Sequence, residues 1–143
     1  MTGLKIISIC VLIKMAVLIK GYPKKLISDE GSDDCLRSIC QATTGCDLTA
    51  GCHTQIGGAY FCGPFRISMP YWVEAGSPTL YDVIDPTIND FEECTKNFNC
   101  SAKTVVNYMQ KFVIRKSNDC TGDGVINCDD YMTAHFRGRH VCE

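Results

Sequence analysis

The sequence predicts a small α+β domain braced by disulfides, and three observations carry that expectation. Ten of the eleven cysteines lie between Cys35 and Cys142. Apolar residues Val105, Val106, Tyr108, Met109, Phe112 and Val113 recur at helical spacing. Aromatic and branched residues flank the Gly63-Pro64 turn, as in a short hairpin. A chain of 143 residues is of single-domain length, with room for one modest core.

Residues 1–21, MTGLKIISICVLIKMAVLIKG, read as a secretory signal peptide. Lys5 opens the leader, Ile6 to Ile13 form the apolar run, and Lys14 interrupts it before it reaches the ~20 residues of a membrane span. Cys10 lies in this leader, so the mature chain keeps an even set: Cys35, Cys40, Cys46, Cys52, Cys62, Cys94, Cys100, Cys120, Cys128 and Cys142. An even set at this density in a small secreted chain reads as five disulfides whose pairing spacing alone leaves open. Zinc is the competing use of thiolates, but no Cys-x-x-Cys pair occurs and His53, His135 and His140 are scattered. Removal of residues 1–21 takes away Lys5, Lys14 and Lys20 and no acid, moving the formal charge from −2 to −5. Such a chain has no overall field to draw nucleic acid or an anionic bacterial wall, and no membrane contact is expected after cleavage.

Residues 22–34 are polar, with Pro23 and Gly31, and are expected to be a flexible lead-in. Ser32 or Asp33 is the expected cap of a helix carrying Cys35, Leu36, Ile39, Cys40 and Thr43 and ended by Gly45. Gly45 to Gly58 reads as turns, Ala59 to Ile67 as the hairpin. Pro70 suits the first turn of a helix through Tyr71, Trp72 and Val73 to Gly76. Residues 77–89 read as a long loop with Pro78 and Pro86. Asp90 with Glu93 is the expected capping box of a short helix to Cys100, and Ser101 the expected cap of the next. Cys128 to Phe136 completes the set before Gly138.

The order of these signals resembles the invertebrate-type (i-type) lysozymes, or destabilase family. The residues that carry the likeness are the Cys-rich first helix, Cys62-Gly63-Pro64-Phe65-Arg66-Ile67, Tyr71-Trp72, Cys94, Cys100, Asn107-Tyr108-Met109, Asp123-Gly124 and Cys142. The resemblance covers residues 35–143 and implies a lysozyme-like fold. It also implies peptidoglycan hydrolysis at β-1,4 bonds between N-acetylmuramic acid and N-acetylglucosamine, in antibacterial defence or digestion.

The residues that such chemistry requires are absent. A lysozyme-type glycosidase needs a carboxylic acid to protonate the leaving oxygen and a carboxylate to attack or stabilise the oxocarbenium centre. In the family the acid is the Glu of Cys-Ile-Cys-x-x-Glu-Ser-Gly-Cys, and that frame places Thr43 there. The second carboxylate follows the next Gly-Cys, where His53-Thr54-Gln55 places Gln55. The Cys52–Cys62 segment is one residue longer than the family pattern, yet slippage rescues nothing, because Asp47 is the only acid between Cys35 and Cys62. Threonine and glutamine supply neither a proton nor a charge at neutral pH. The Ser/Lys pair linked to isopeptidase activity in the family is replaced by Phe61 (or Tyr60) and Ser68.

The sequence therefore predicts a secreted lysozyme-like protein that has lost hydrolysis and acts by binding peptidoglycan, another glycan or a protein partner. An active lysozyme using other carboxylates and a destabilase-type isopeptidase are the alternatives. Phe65, Arg66, Tyr71 and Trp72 are the expected saccharide-facing residues, since sugars present apolar faces that aromatics cover. No cofactor is required, but a structural calcium is a candidate. Asp119, Thr121, Asp123, Asn127 and Asp130 place oxygens at EF-hand loop positions around Gly124, against the alternative of a disulfide-braced turn.

Overall fold

The computed structural model describes residues 30–143, with side chains from Asp33 onward. Residues 1–21, the expected signal peptide, and residues 22–29 of the expected lead-in lie outside the described residues. Helix α1 spans Glu30–Thr44, so it takes in the end of the expected lead-in and places Ser32 and Asp33 inside its first turns rather than at its cap. Leu36, Ile39 and Cys40 are its buried stripe. Gly45 ends it at φ 66, where a Cβ-bearing residue is disfavoured, and its N–H returns to the Gln41 carbonyl at 3.0 Å.

A three-stranded antiparallel sheet follows, in the order β1 (Cys52–Thr54), β2 (Tyr60–Cys62), β3 (Ile67–Ser68). The β2–β3 hairpin is the expected one; β1 lies in the stretch read as turns. Its three residues alternate too briefly to show a period, and pairing of Cys52 with Cys62 defines it. Ser68 caps α2 (Met69–Glu74), with Pro70 in the first turn as expected.

The next two caps differ from the sequence expectation. Helix α3 (Ile88–Lys96) starts at Thr87, whose N–H and hydroxyl both donate to Asp90 Oδ2 at 2.7 Å, so Asp90 is the third residue of the box rather than its first. Helix α4 (Phe98–Met109) is capped by Asn97, whose side chain accepts the Cys100 N–H. Ser101 lies inside α4, fully buried, its hydroxyl without a partner among the described residues. Caps depend on which side-chain oxygen meets an orphan N–H, and three residues in a polar run satisfy that pattern equally well on paper. A π-helical turn (Gln110–Ile114) prolongs α4, and α5 (Cys128–Arg137) is capped by Asn127 with Asp130.

The ten cysteines of the described residues all pair: Cys35–Cys128, Cys40–Cys46, Cys52–Cys62, Cys94–Cys100 and Cys120–Cys142. The Cys35–Cys128 bridge ties α1 to α5 across 93 residues, while the short bridges staple local turns. Phe65, Ile67, Trp72, Phe91, Val105 and Val113 fill the core between sheet and helices.

The Cys62–Ile67 turn is locked against α3. Gly63 has φ 75, and a Cβ there would sit 1.7 Å from the Thr95 carbonyl oxygen. Backbone is what it would strike, so relief requires moving a helix. Gly63→Ala is expected to destabilise the domain by more than about 3 kcal/mol, a fall in Tm of more than ~10 °C. Gly57→Ala, at φ 100 with open space around it, should cost only the ~1–2 kcal/mol of backbone strain. Thermal melts of the two variants beside the parent check the contrast.

Candidate functional site

The ends of α1 and α5 and one face of the sheet enclose a cavity of about 240 Å³. Gln55 directly follows β1, and Phe61 of β2 pairs with His53 of β1. Gln55 and Phe61 line the cavity with Thr43, one residue before the end of α1. The structure thus brings together Thr43 and Gln55, which are twelve positions apart in sequence and now line one cavity. Ala42, Phe65, Arg66, His135 and Phe136 complete its walls.

Thr43 is spoken for. Its hydroxyl lies 2.7 Å from the Pro64 carbonyl, with Cys40 and Ile39 carbonyls at 2.9 and 3.0 Å, and Thr44 donates to the same Pro64 oxygen at 2.8 Å. Two hydroxyls at the helix end therefore hold the Gly63-Pro64 turn. Arg66 occupies the left-handed region at φ 48, and its exposed side chain lines both this cavity and a neighbouring cleft of about 310 Å³.

His135 holds the turn from the other side. Its Nε2 is 3.0 Å from the Phe65 carbonyl, which can only accept, so Nε2 carries the proton. Nδ1 then accepts the Tyr71 hydroxyl at 3.1 Å. Burial lowers the imidazole pKa from 6.5 to about 4, against the smaller opposing effect of the Phe65 hydrogen bond. Burial likewise raises Tyr71 well above its usual range, with Tyr108 adding to the shift. The pair is neutral at physiological pH.

The saccharide-facing set expected from sequence is reduced. Trp72 is core: 2% exposed, its indole N–H donates to Pro78 and its ring meets Phe91 edge-on. Phe65 is fully buried and borders the cavity only from beneath. Tyr71 stacks on Tyr108 at 3.8 Å and does not line the cavity. Arg66 alone of the four presents an exposed side chain there. His135 and Phe136, some seventy residues downstream, give no local signal, since a helix carrying His-Phe reads as any amphipathic helix.

No carboxylate lines the cavity among the described residues. Asp47 lines the neighbouring cleft, where the Thr49 hydroxyl and N–H at 2.7 and 2.9 Å lower its pKa and hold it ionised, the wrong state for a proton donor. Glu74 faces elsewhere, paired with Arg139 at 3.0 Å and bordering a separate cleft with Asn107 and Lys111.

In the Asp119 loop the candidate ligands accept N–H groups instead. Asp119 takes those of Gly122, Asp123 and Gly124, Asp123 that of Val125, and Asp130 those of Thr121 and Asn127. Among the described residues no group of three or more His, Cys, Asp or Glu stands close enough to hold a metal ion.

Residues 32–143 match the model of the Destabilase family. The chain belongs to the destabilase family. A lysozyme of Magallana gigas is 31% identical over 78% of this chain and 69% of its own length. An invertebrate-type lysozyme of Ruditapes philippinarum is 29% identical over 78% and 70%. The crystal structure of Tapes japonica lysozyme superposes with TM-score 0.59 at 28% identity, covering 76% of each chain. The destabilase domain here is thus an i-type lysozyme-like domain in sequence and fold, with its helix-and-sheet cavity lined by Thr43 and Gln55.

The neutral His135 links this cavity to pH. Its folded pKa lies below the unfolded one, so from about 6.5 down to 4 the unfolded chain binds the extra proton. Stability from the neutral ring is complete above that window and lost as pH falls through it, at up to ~1.4 kcal/mol per pH unit. The parent should lose stability steadily between pH 6.5 and 4, and His135→Gln should show a flatter profile. Urea midpoints across that range check the slope; equal slopes would remove His135 as its source.

Proposed function

We propose that the protein is secreted and binds glycan at the Thr43–Gln55 cavity without hydrolysing it at a useful rate. The observation that carries this reading is the absence of carboxylates from the cavity lining among the described residues. General acid–base assistance alone is worth roughly 10²–10⁴-fold, and the anionic partner is missing as well. A cavity with a backbone-bonded threonine, a neutral imidazole, an amide and an arginine can hold polar ligands but has no group to protonate a leaving alkoxide. Peptidoglycan, the family's substrate, is the first ligand to test, in a defence or digestive setting. The ten paired cysteines support an extracellular site of action.

Hydrolysis through Asp47 is the competing reading, because that acid shares Arg66 with the cavity through the neighbouring cleft. A retaining site needs its two carboxyl groups about 5–5.5 Å apart, and among the described residues Asp47 has no second carboxylate lining its cleft.

Turbidity of bacterial walls and sedimentation with them separate lysis from binding. The parent is expected to sediment with walls and leave turbidity unchanged. Thr43→Glu with Gln55→Asp should gain measurable lysis, with Thr44 still holding the Pro64 carbonyl. Robust lysis by the parent would overturn the proposal, and its loss in Asp47→Asn would assign the chemistry to the neighbouring cleft.

A further inference from the structure

Replacement of the carboxylates does more than silence the cavity. A pair of acids would give it a negative field; as it stands, Arg66 is the only charged side chain lining it among the described residues. The guanidinium forms no salt bridge among the described residues. It is also held in place from its backbone: the left-handed φ of 48 and the Arg66 N–H to Gly63 carbonyl bond at 3.0 Å fix where the side chain leaves the turn. Non-glycine residues at such angles cost of order 1–3 kcal/mol and recur at binding sites, where surrounding structure imposes them.

Around that cation lie groups suited to a sugar rather than to a bare ion. Gln55 offers both amide donors and an acceptor, and exposed Phe136 and half-buried Phe61 offer ring faces for a pyranose. Opposing effects are present and small in number. The carbonyl ends of α1 and α5 border the cavity, but Gly45 and Cys46 N–H groups cover Gln41 and Cys40 of α1. Asp47 lies on the far side of Arg66 in the neighbouring cleft.

We infer that the cavity selects acidic saccharides, with the Arg66 guanidinium receiving a sugar carboxylate, Gln55 reading hydroxyl or acetamido groups, and Phe61 and Phe136 covering the ring. The inference rests on the glycan-binding reading above and names its ligand class. Two sources share the chemistry: the uronate of an acidic polysaccharide and the lactyl carboxylate of N-acetylmuramic acid that carries no stem peptide. Planar bidentate pairing to carboxylate is what Arg offers beyond a point charge.

Calorimetric titration with three tetrasaccharides at one low salt concentration tests it: neutral β-1,4 N-acetylglucosamine, alternating glucuronate and N-acetylglucosamine, and alternating N-acetylmuramic acid and N-acetylglucosamine. At least one acidic probe should bind about fivefold or more tighter than the neutral one, a charge-assisted hydrogen bond at an exposed site. Which acidic probe binds better distinguishes the two sources. Arg66→Gln should abolish the preference, Arg66→Lys should keep part of it, and Asp47→Asn should enlarge it. Equal binding of neutral and acidic probes, or a preference that survives Arg66→Gln, overturns the inference while glycan binding itself stands. Failure of all three probes to bind overturns the glycan-binding reading along with it. Should Arg66→Gln fold poorly, Asp47→Asn alone decides: unchanged preference there also counts against the inference.

Discussion

The Cys62–Ile67 turn must bury its backbone in the middle of the molecule, and the arrangement around it follows from that demand. Residues 62–65 are all buried. A buried carbonyl left unpaired costs about 1–3 kcal/mol, so each needs a donor. The end of α1 supplies two, Thr43 and Thr44 to Pro64; α5 supplies His135 to Phe65. Gly63 admits the Thr95 carbonyl of α3 where any side chain would exclude it. Cys62 is bridged to Cys52, which fixes β1 against β2. Three helices and a sheet meet on six residues of turn, and the cavity is what remains beside them.

The positions that face the cavity are few, and the two among them that hold the turn by side-chain hydrogen bonds, Thr43 and His135, do so as neutral groups. Thr43 serves the turn through its hydroxyl, with no role for a charge. A cluster of two carboxylates in a confined site carries like-charge repulsion and desolvation, both destabilising. A cavity without carboxylates in its described lining carries neither cost, in keeping with the general opposition between active-site strain and stability. The disulfides supply the rest: closing a loop of the length between Cys35 and Cys128 is worth up to ~4–5 kcal/mol in a domain too small to rely on its core.

Legibility in the sequence followed the range of the physics. Helices with long apolar stripes, the Pro70 start and the Gly45 stop were readable, because each depends on residues within a turn of one another. Thr43 and Gln55, framed in sequence by Cys40, Cys46, Cys52 and Cys62, line one cavity in the fold. Short-range rivalry defeated the caps: Thr87 over Asp90, and Asn97 over Ser101, were decided by which oxygen could reach an N–H. Strand β1 was invisible because three residues show no period. Trp72 and Phe65 belong to the core since an aromatic in sequence does not declare which way it faces, and His135 is defined wholly by α5 returning to the turn.

Arg66 shows what such long-range placement does to electrostatics. In sequence it is one basic residue in an acidic chain, and the net charge of −2 says nothing in favour of anions. Net charge acts over a Debye length of about 10 Å in ordinary salt, whereas a ligand in the cavity senses first the groups that touch it. There the neighbours are an amide, two phenyl rings, a hydroxyl already bonded to the turn and an imidazole that burial keeps neutral. None of them offsets a guanidinium. The sign of the site is thus opposite to the sign of the molecule, because no carboxylate lines the cavity among the described residues.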